Sequence, residues 1–193
     1  MVGFSHTIKS ELEHFSKKHD IKTLVETGTF EGATTEIASS IFDEVFSIEL
    51  DNKLYQEALI KFKDKKNIFC IEGESPEMLR RLLSSDKFKS KNVIFYLDAH
   101  WAGEKTSRSS SDTPLLSEIR VIADIRRDFS DLIIIDDISF CDKVTKYNFA
   151  PGSQYFPNGG LFECDWIGVS KEKILQLLNK KNVIERNDRL ILF

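Results

Sequence analysis

Two rhythms of apolar positions alternate along the chain. Phe4, Ile8, Leu12 and Phe15 recur three and four residues apart, which predicts an amphipathic helix over residues 4–18. After it, short apolar runs alternate with helical patterns. Lys22–Thr27, Glu44–Leu50, Asn67–Ile71, Asn92–Leu97 and Leu132–Ile135 read as strands. Between them Ala33–Ile41, Lys53–Phe62, Pro76–Leu83 and Pro114–Asp128 read as helices, the last with Thr113 or Asp112 as its N-cap. Leu132–Ile135 is apolar without a break, as parallel strands covered on both faces tend to be. This alternation predicts right-handed crossovers and a parallel sheet with helices on both sides.

The rhythm changes near residue 171. Lys171–Asn179 is a helix, and only Arg186-Asn187-Asp188 separates the strands Asn182–Glu185 and Arg189–Phe193. So short a link permits only an antiparallel hairpin. The expected fold is α/β, a doubly wound three-layer sandwich with a seven-stranded, mostly parallel sheet. Residues 1–193 form a single domain in which 1–20 are a helical arm. Two stretches stand outside the pattern: the polar, serine-rich Trp101–Asp112, and Ile138–Gly168 with its prolines, glycines, Tyr147, Phe149, Tyr155, Phe156 and Trp166. Both follow strand C-termini, where open α/β sheets bind ligands, and are expected to be lids, with 138–168 shaping the acceptor pocket.

Composition narrows the classes. The chain has 193 residues, 41% hydrophobic and 30% charged, which excludes a disordered chain and a disulfide mini-protein. Its 27 basic and 31 acidic residues leave a net charge of −4, giving no global field for nucleic acid. The basic runs Lys61–Lys66 and Lys87–Lys91 are interrupted by Phe or Asp and read as solvated helix ends. The longest clean apolar runs fall far short of the ~20 residues that span a bilayer, so no membrane partner is expected. Three cysteines without CxxC spacing read as free thiols in a reducing cytoplasm.

Chemistry concentrates where strands end. Glu26-Thr27-Gly28-Thr29-Phe30-Glu31-Gly32 leaves a strand and opens a helix. Gly28 permits a tight turn there, and the first helical N–H groups face the crevice. The pattern is neither GxGxxG nor a Walker A loop. Glu49 ends the next strand, about 20 residues on, where an acid can accept both hydroxyls of a ribose. The third strand ends in Glu72-Gly73-Glu74-Ser75. The fourth ends in Asp98-Ala99-His100-Trp101 and the fifth in Asp136-Asp137.

Taken in order, these motifs resemble those of the class I S-adenosylmethionine (SAM)-dependent methyltransferases, over roughly residues 20–193. That resemblance implies a Rossmann-like methyltransferase fold and SAM as methyl donor. It implies that Glu26, Gly28 and Gly32, with Thr29 and Thr34 beside them, hold the methionine end of the donor. Glu49 would hold the ribose, and Glu72 with Glu74 or Ser75 the adenine. The acids after strands four and five look like those of metal-dependent small-molecule O-methyltransferases acting on catechols and macrolide sugars. They imply Mg²⁺ or Mn²⁺ held by Asp98, Asp136 and Asp137. A second reading has Asp98 touching the donor's amino group. His100 suits general-base work near neutrality, with Asp98 beside it, while His6, His14 and His19 are bystanders on the first helix. The expected activity is O-methylation of a small hydroxylated molecule such as a sugar or sugar nucleotide, with a homodimer left open. An NAD- or nucleotide-sugar-dependent oxidoreductase is disfavoured by the missing GxGxxG and Tyr-x-x-x-Lys. A non-catalytic SAM-binding subunit is disfavoured by the intact acids.

Overall fold

A computed structural model describes residues 4–103, 106–109, 111–153 and 156–193, with side chains from residue 8 onward. The side chains of Phe4 and His6, and Tyr155, lie outside the described residues.

Seven strands form one sheet: β1 (Thr23–Thr27), β2 (Glu44–Glu49), β3 (Ile68–Glu72), β4 (Ile94–Leu97), β5 (Leu132–Ile135), β8 (Val183–Arg186) and β9 (Arg189–Leu192). Their order is β3-β2-β1-β4-β5-β9-β8. All neighbours from β3 to β5 pair in parallel, and β9 runs antiparallel to both β5 and β8. The expected doubly wound sheet with a terminal hairpin is therefore present. Its hairpin turn is tighter than the sequence implied: Asn187 and Asp188 alone make it, with φ of 51° and 59°. Two consecutive left-handed residues match the twist of the flanking strands, and Asn and Asp tolerate that conformation.

Helices α1 (Phe4–His19) and α2 (Ala33–Ser39) cover one face of the sheet. Helices α4 (Ser75–Leu83), α5 (Leu115–Ile125) and α6 (Lys171–Leu178) cover the other, while α3 (Asn52–Lys61) packs beside β2 and β3. The first helix is not an arm. Ile8, Leu12 and Phe15 are buried against Leu24, Ile94 and Ile191, so it is a wall of one core. Helix α5 stops three residues before Asp128. Arg126 leaves helical geometry to make a two-pronged pair with Asp131, at 2.8 Å on each prong, and to donate to the carbonyls of Phe88 and Lys91. Neither Asp112 nor Thr113 is its N-cap; Pro114 holds that position. Asp112 is instead taken by Arg108 and by the Asp165 N–H.

Residues 138–168 contain regular structure where the sequence suggested a loop. After a short helical turn at Ile138–Phe140 they form a separate antiparallel hairpin, β6 (Val144–Phe149) with β7 (Gly160–Asp165). Tyr147 pairs with Phe162, and Phe149, Phe156 and Phe162 pack as an aromatic cluster. Phe162 and Cys164 alternate inward and are buried, whereas Leu161, Glu163 and Asp165 face out.

Two ion pairs of one arginine tie α1 and the end of β5 to β9. Arg189, 1% exposed, reaches Glu11 of α1 and Asp136 after β5, at 3.3 Å each. Replacing Arg189 with Leu strips the buried Asp136 of its cation and should cost about 3–5 kcal/mol in urea denaturation. A loss below about 1 kcal/mol would refute this assignment.

Candidate active site

Gly28 follows β1 with φ +83°, a backbone that side chains rarely adopt. A Cβ there would stand 2.8 Å from the Asp98 carbonyl oxygen. The close approach is fixed on both sides: Gly28 N–H donates to Ile48, and Asp98 N–H donates to Thr27. The β1 turn thus brings the end of β4 directly beside it. Five parallel strands then deliver their C-terminal residues to one cavity of about 400 Å³, within the usual range for a small-molecule site. Gly28, Glu49, Glu74, Ser75, Asp98, His100, Asp136 and Asp137 all line it.

Glu49 is 6% exposed and is held by two backbone amides, Phe30 N–H to Oε2 and Asp51 N–H to Oε1, both at 2.8 Å. Burial pushes its carboxyl above the ordinary value, and the two amide bonds oppose that. Each oxygen keeps accepting capacity toward the cavity.

Other expected donor contacts lie elsewhere. Glu26 is outside the lining. Its Oε2 accepts from Ser47 Oγ at 2.5 Å and from Thr35 Oγ1, and burial drives its pKa to about 7. Thr29 bonds Ser47 at 2.6 Å, Gly32 packs against the Phe62 ring, and Thr34 is half-buried in the first turn of α2. Glu72 is exposed and accepts from Asn52. Ser75 lines the cavity and donates from below it to Glu118 of α5.

At the other end, the acids divide differently from the expectation. Asp98, His100 and Asp137 bring one ligand-type atom each to within 4.8 Å of one another. Asp136 is withdrawn from this group by Arg189 and by the Tyr96 hydroxyl. Asp136, expected beside Asp98 and Asp137 as a third ligand, is thus not part of the described cluster, and the guanidinium beside it opposes a dication there. His100 takes the vacated corner. Its Nδ1 lies 3.1 Å from the Trp101 carbonyl, which accepts only an N–H, so Nε2 is the nitrogen facing Asp137 at 2.9 Å and Asp98 at 3.8 Å. Asp137 reaches this position through a left-handed backbone, φ 55°.

Burial lowers the His100 pKa, but the Asp137 hydrogen bond and the nearby carboxylates outweigh it and hold it well above 6.5. Burial likewise raises Asp98, with the charges of Asp136 and Asp137 adding to it against the opposing pull of His100.

Phe140, Tyr147, Phe149 and Phe162 wall this end. Phe140 and Phe162 stand outside the sequence expectations; the alternation Phe162-Glu163-Cys164-Asp165 is the signal that points to Phe162. Trp101 lies outside the lining, stacked on Phe162 at 5.3 Å and covered by the Arg108 guanidinium. Of the serine-rich stretch, Ala102, Thr106, Ser107 and Ser109 close the rim, with Ser107 bonded to Asp51 and Ser109 to Glu74.

No family model and no curated protein matches this chain. Solved structures do. The O-methyltransferase TomG from Streptomyces achromogenes, solved with SAM, superposes with a TM-score of 0.65 at 11% identity, over 99% of this chain and 81% of that one. An O-methyltransferase from Bacillus cereus, solved with S-adenosylhomocysteine, gives 0.62 at 12%, over 98% and 81%. Cofactor-bound Rv0187 from MTB gives 0.62 at 14%, over 99% and 81%. The chain thus has the class I methyltransferase fold, and its architecture is similar to that of these O-methyltransferases.

Two predictions follow from the buried carboxyls and the turn. Glu26 and Glu118 both sit at about 7 in the fold, against an ordinary 4.5. Between those values folding binds protons. Their stabilisation is thus full below about pH 4.5 and is lost as pH rises through about 7. Melting temperature should fall from pH 5 to pH 8, and Glu26→Gln should flatten that fall; an unchanged slope counts against it. Gly28→Ala should destabilise by more than about 1 kcal/mol, through strain and the clash with Asp98, measurable by chemical denaturation.

Proposed function

We propose that this chain transfers a methyl group from SAM to a hydroxyl of a small molecule. The observation that carries this reading is the single cavity joining Ser75, Glu49 and Gly28 to the Asp98–His100–Asp137 group. Strand order sets the layout: β3, β2, β1, β4 and β5 contribute in sequence across the sheet edge. Ser75 and Glu74 would hold the base, Glu49 the ribose hydroxyls, and Gly28 with Asp98 the amino-acid end.

SAM supplies a sulfonium methyl that needs no further activation. The protein's own tasks are alignment, exclusion of water and removal of the acceptor's proton. The aromatic wall offers flat faces to a ring-bearing acceptor, a sugar or sugar nucleotide among them, and places its hydroxyl against His100. His100 Nε2 takes the proton the hydroxyl releases, and Asp137 stabilises the imidazolium that results. Because His100 holds its own proton tightly, turnover should rise with pH through a value above 6.5.

A divalent cation fits the same three side chains. Two carboxylates and an imidazole whose Nδ1–H is fixed by a carbonyl suit Mn²⁺ better than Mg²⁺. Held there it would lower the hydroxyl's pKa. The three free thiols, Cys70, Cys141 and Cys164, fit a reducing compartment, and the cytoplasm is our reading. No described helix is long and apolar enough to cross a membrane.

Calorimetry with SAM and S-adenosylhomocysteine tests the donor. Glu49→Ala should weaken both by about 1–3 kcal/mol, and absence of binding to the unaltered protein sinks the reading. With radiolabelled donor and a panel of ring hydroxyls, His100→Ala should slow transfer by ~10²–10⁴-fold and remove its rise with pH. Loss of activity in EDTA, restored by Mn²⁺, would assign the cation to Asp98, His100 and Asp137. Full activity in EDTA would leave proton removal to His100 alone.

A further inference from the structure

Glu118 plays no part in the chemistry described above, yet its position is unusual. It lies on α5, is 0% exposed, and has no cation beside it among the described residues. Its hydrogen-bond partner is the hydroxyl of Ser75, which lines the cavity. Its second oxygen is buried without a full hydrogen bond; the Thr27 hydroxyl at the end of β1, itself without another partner among the described residues, acts on it from beyond that distance. A fully buried carboxyl with one satisfied oxygen is costly to keep. Helix α5 could hold an apolar side chain at this point, since Leu115, Ile119 and Ile122 around it are all core residues.

A hydroxyl has one proton and can spend it only once. When Glu118 is ionised it accepts the Ser75 proton, and Ser75 shows only lone pairs to the cavity. When Glu118 is protonated it donates to Ser75, whose own proton is then free to point at a ligand. The ionisable groups on neighbouring elements face elsewhere. Glu26 on β1 is turned to Ser47 and Thr35, Asp98 after β4 faces His100, and Glu74 bonds Ser109. On α4, Glu77 pairs with Arg81 at the surface, and Arg80 is exposed. On α5, Arg120 and Asp124 are exposed, and on α6 Glu172 and Lys173 are exposed while Lys171 pairs with Glu185.

We propose that Glu118 is a specificity-determining positioning residue: acting through Ser75, it sets whether the base end of the cavity accepts or donates a hydrogen bond. In its ionised state the site selects a base bearing an exocyclic amino group, as adenine does; in its neutral state it tolerates a 6-oxo base. This rests on the SAM reading above. Burial, opposed only by the Ser75 and Thr27 hydroxyls, puts the changeover at about pH 7.

The experiment measures the affinities of S-adenosylhomocysteine and S-inosylhomocysteine at about pH 6 and pH 8. The two ligands differ only at the base. Their affinity ratio therefore cancels pH effects at Glu49, Asp98 and His100. The preference for the amino base should grow about tenfold or more between the two pH values. It should be independent of pH in Glu118→Gln and in Ser75→Ala. Ser75→Ala removes one hydroxyl and leaves the α5 side chain in place, so it keeps the test open if the Glu118 variant misfolds. Binding of S-adenosylhomocysteine with the same preference at both pH values overturns the role of Glu118 and leaves the donor reading standing. Binding of neither ligand at either pH overturns the donor reading, and this inference with it.

Discussion

Carboxyl groups crowd one edge of the sheet, and the protein must neutralise each of them without bulk water. Glu26, Glu49, Glu118 and Asp136 are buried, and Asp98 is partly so. The solutions differ, and the differences assign the roles. Glu26 is satisfied by two hydroxyls and belongs to the scaffold. Glu49 is held by backbone amides, which leave it rigid and open to a ligand. Asp136 has the Arg189 guanidinium, Asp98 and Asp137 have the His100 imidazole, and Glu118 has a proton or Ser75. A site whose acids are balanced by its own side chains starts from a different charge than one assembled around a metal ion.

The strands and crossovers were readable because their apolar periods are strong and the loops short. Positions at strand ends were readable for the same reason, so Glu49, Ser75, Asp98, His100 and Asp137 converge as their places in the motifs implied. What the one-dimensional pattern lacks is side-chain direction. Glu26 belongs to the same motif as Gly28, yet its side chain points between β1 and β2, toward Ser47. Asp136 and Asp137 are adjacent, but the left-handed backbone at Asp137 helps send them to different partners. Arg189 gave no signal at all, since its partners Glu11 and Asp136 lie far away in sequence.

The β6–β7 hairpin was hidden for another reason. Its strands are half solvent-exposed, and the proline- and glycine-rich segment between them dominates the composition of the region. Once formed, the hairpin contributes its aromatic face to the cavity and its polar face to water. Trp101 joins the hairpin to the serine-rich rim, by stacking on Phe162 and by the contact of its carbonyl with the Cys164 thiol at 3.7 Å. The aromatic wall of the cavity and its serine-rich rim are thereby mechanically connected.

The pairing of Arg189 with Asp136 also has a consequence in time. A ribosome adds residues in order, and Asp136 emerges well before the strand that carries its cation. Until β9 slides in beside β5, the nascent chain can lay down β1 to β5 and both covering helical layers, but it must hold that acid in contact with water. The sheet edge that lines the cavity thus becomes dry only once β9 has docked. A molecule in which β9 has not yet docked would keep that acid wet and the cavity edge unsealed, and such a species is the kind that chaperones and proteases engage.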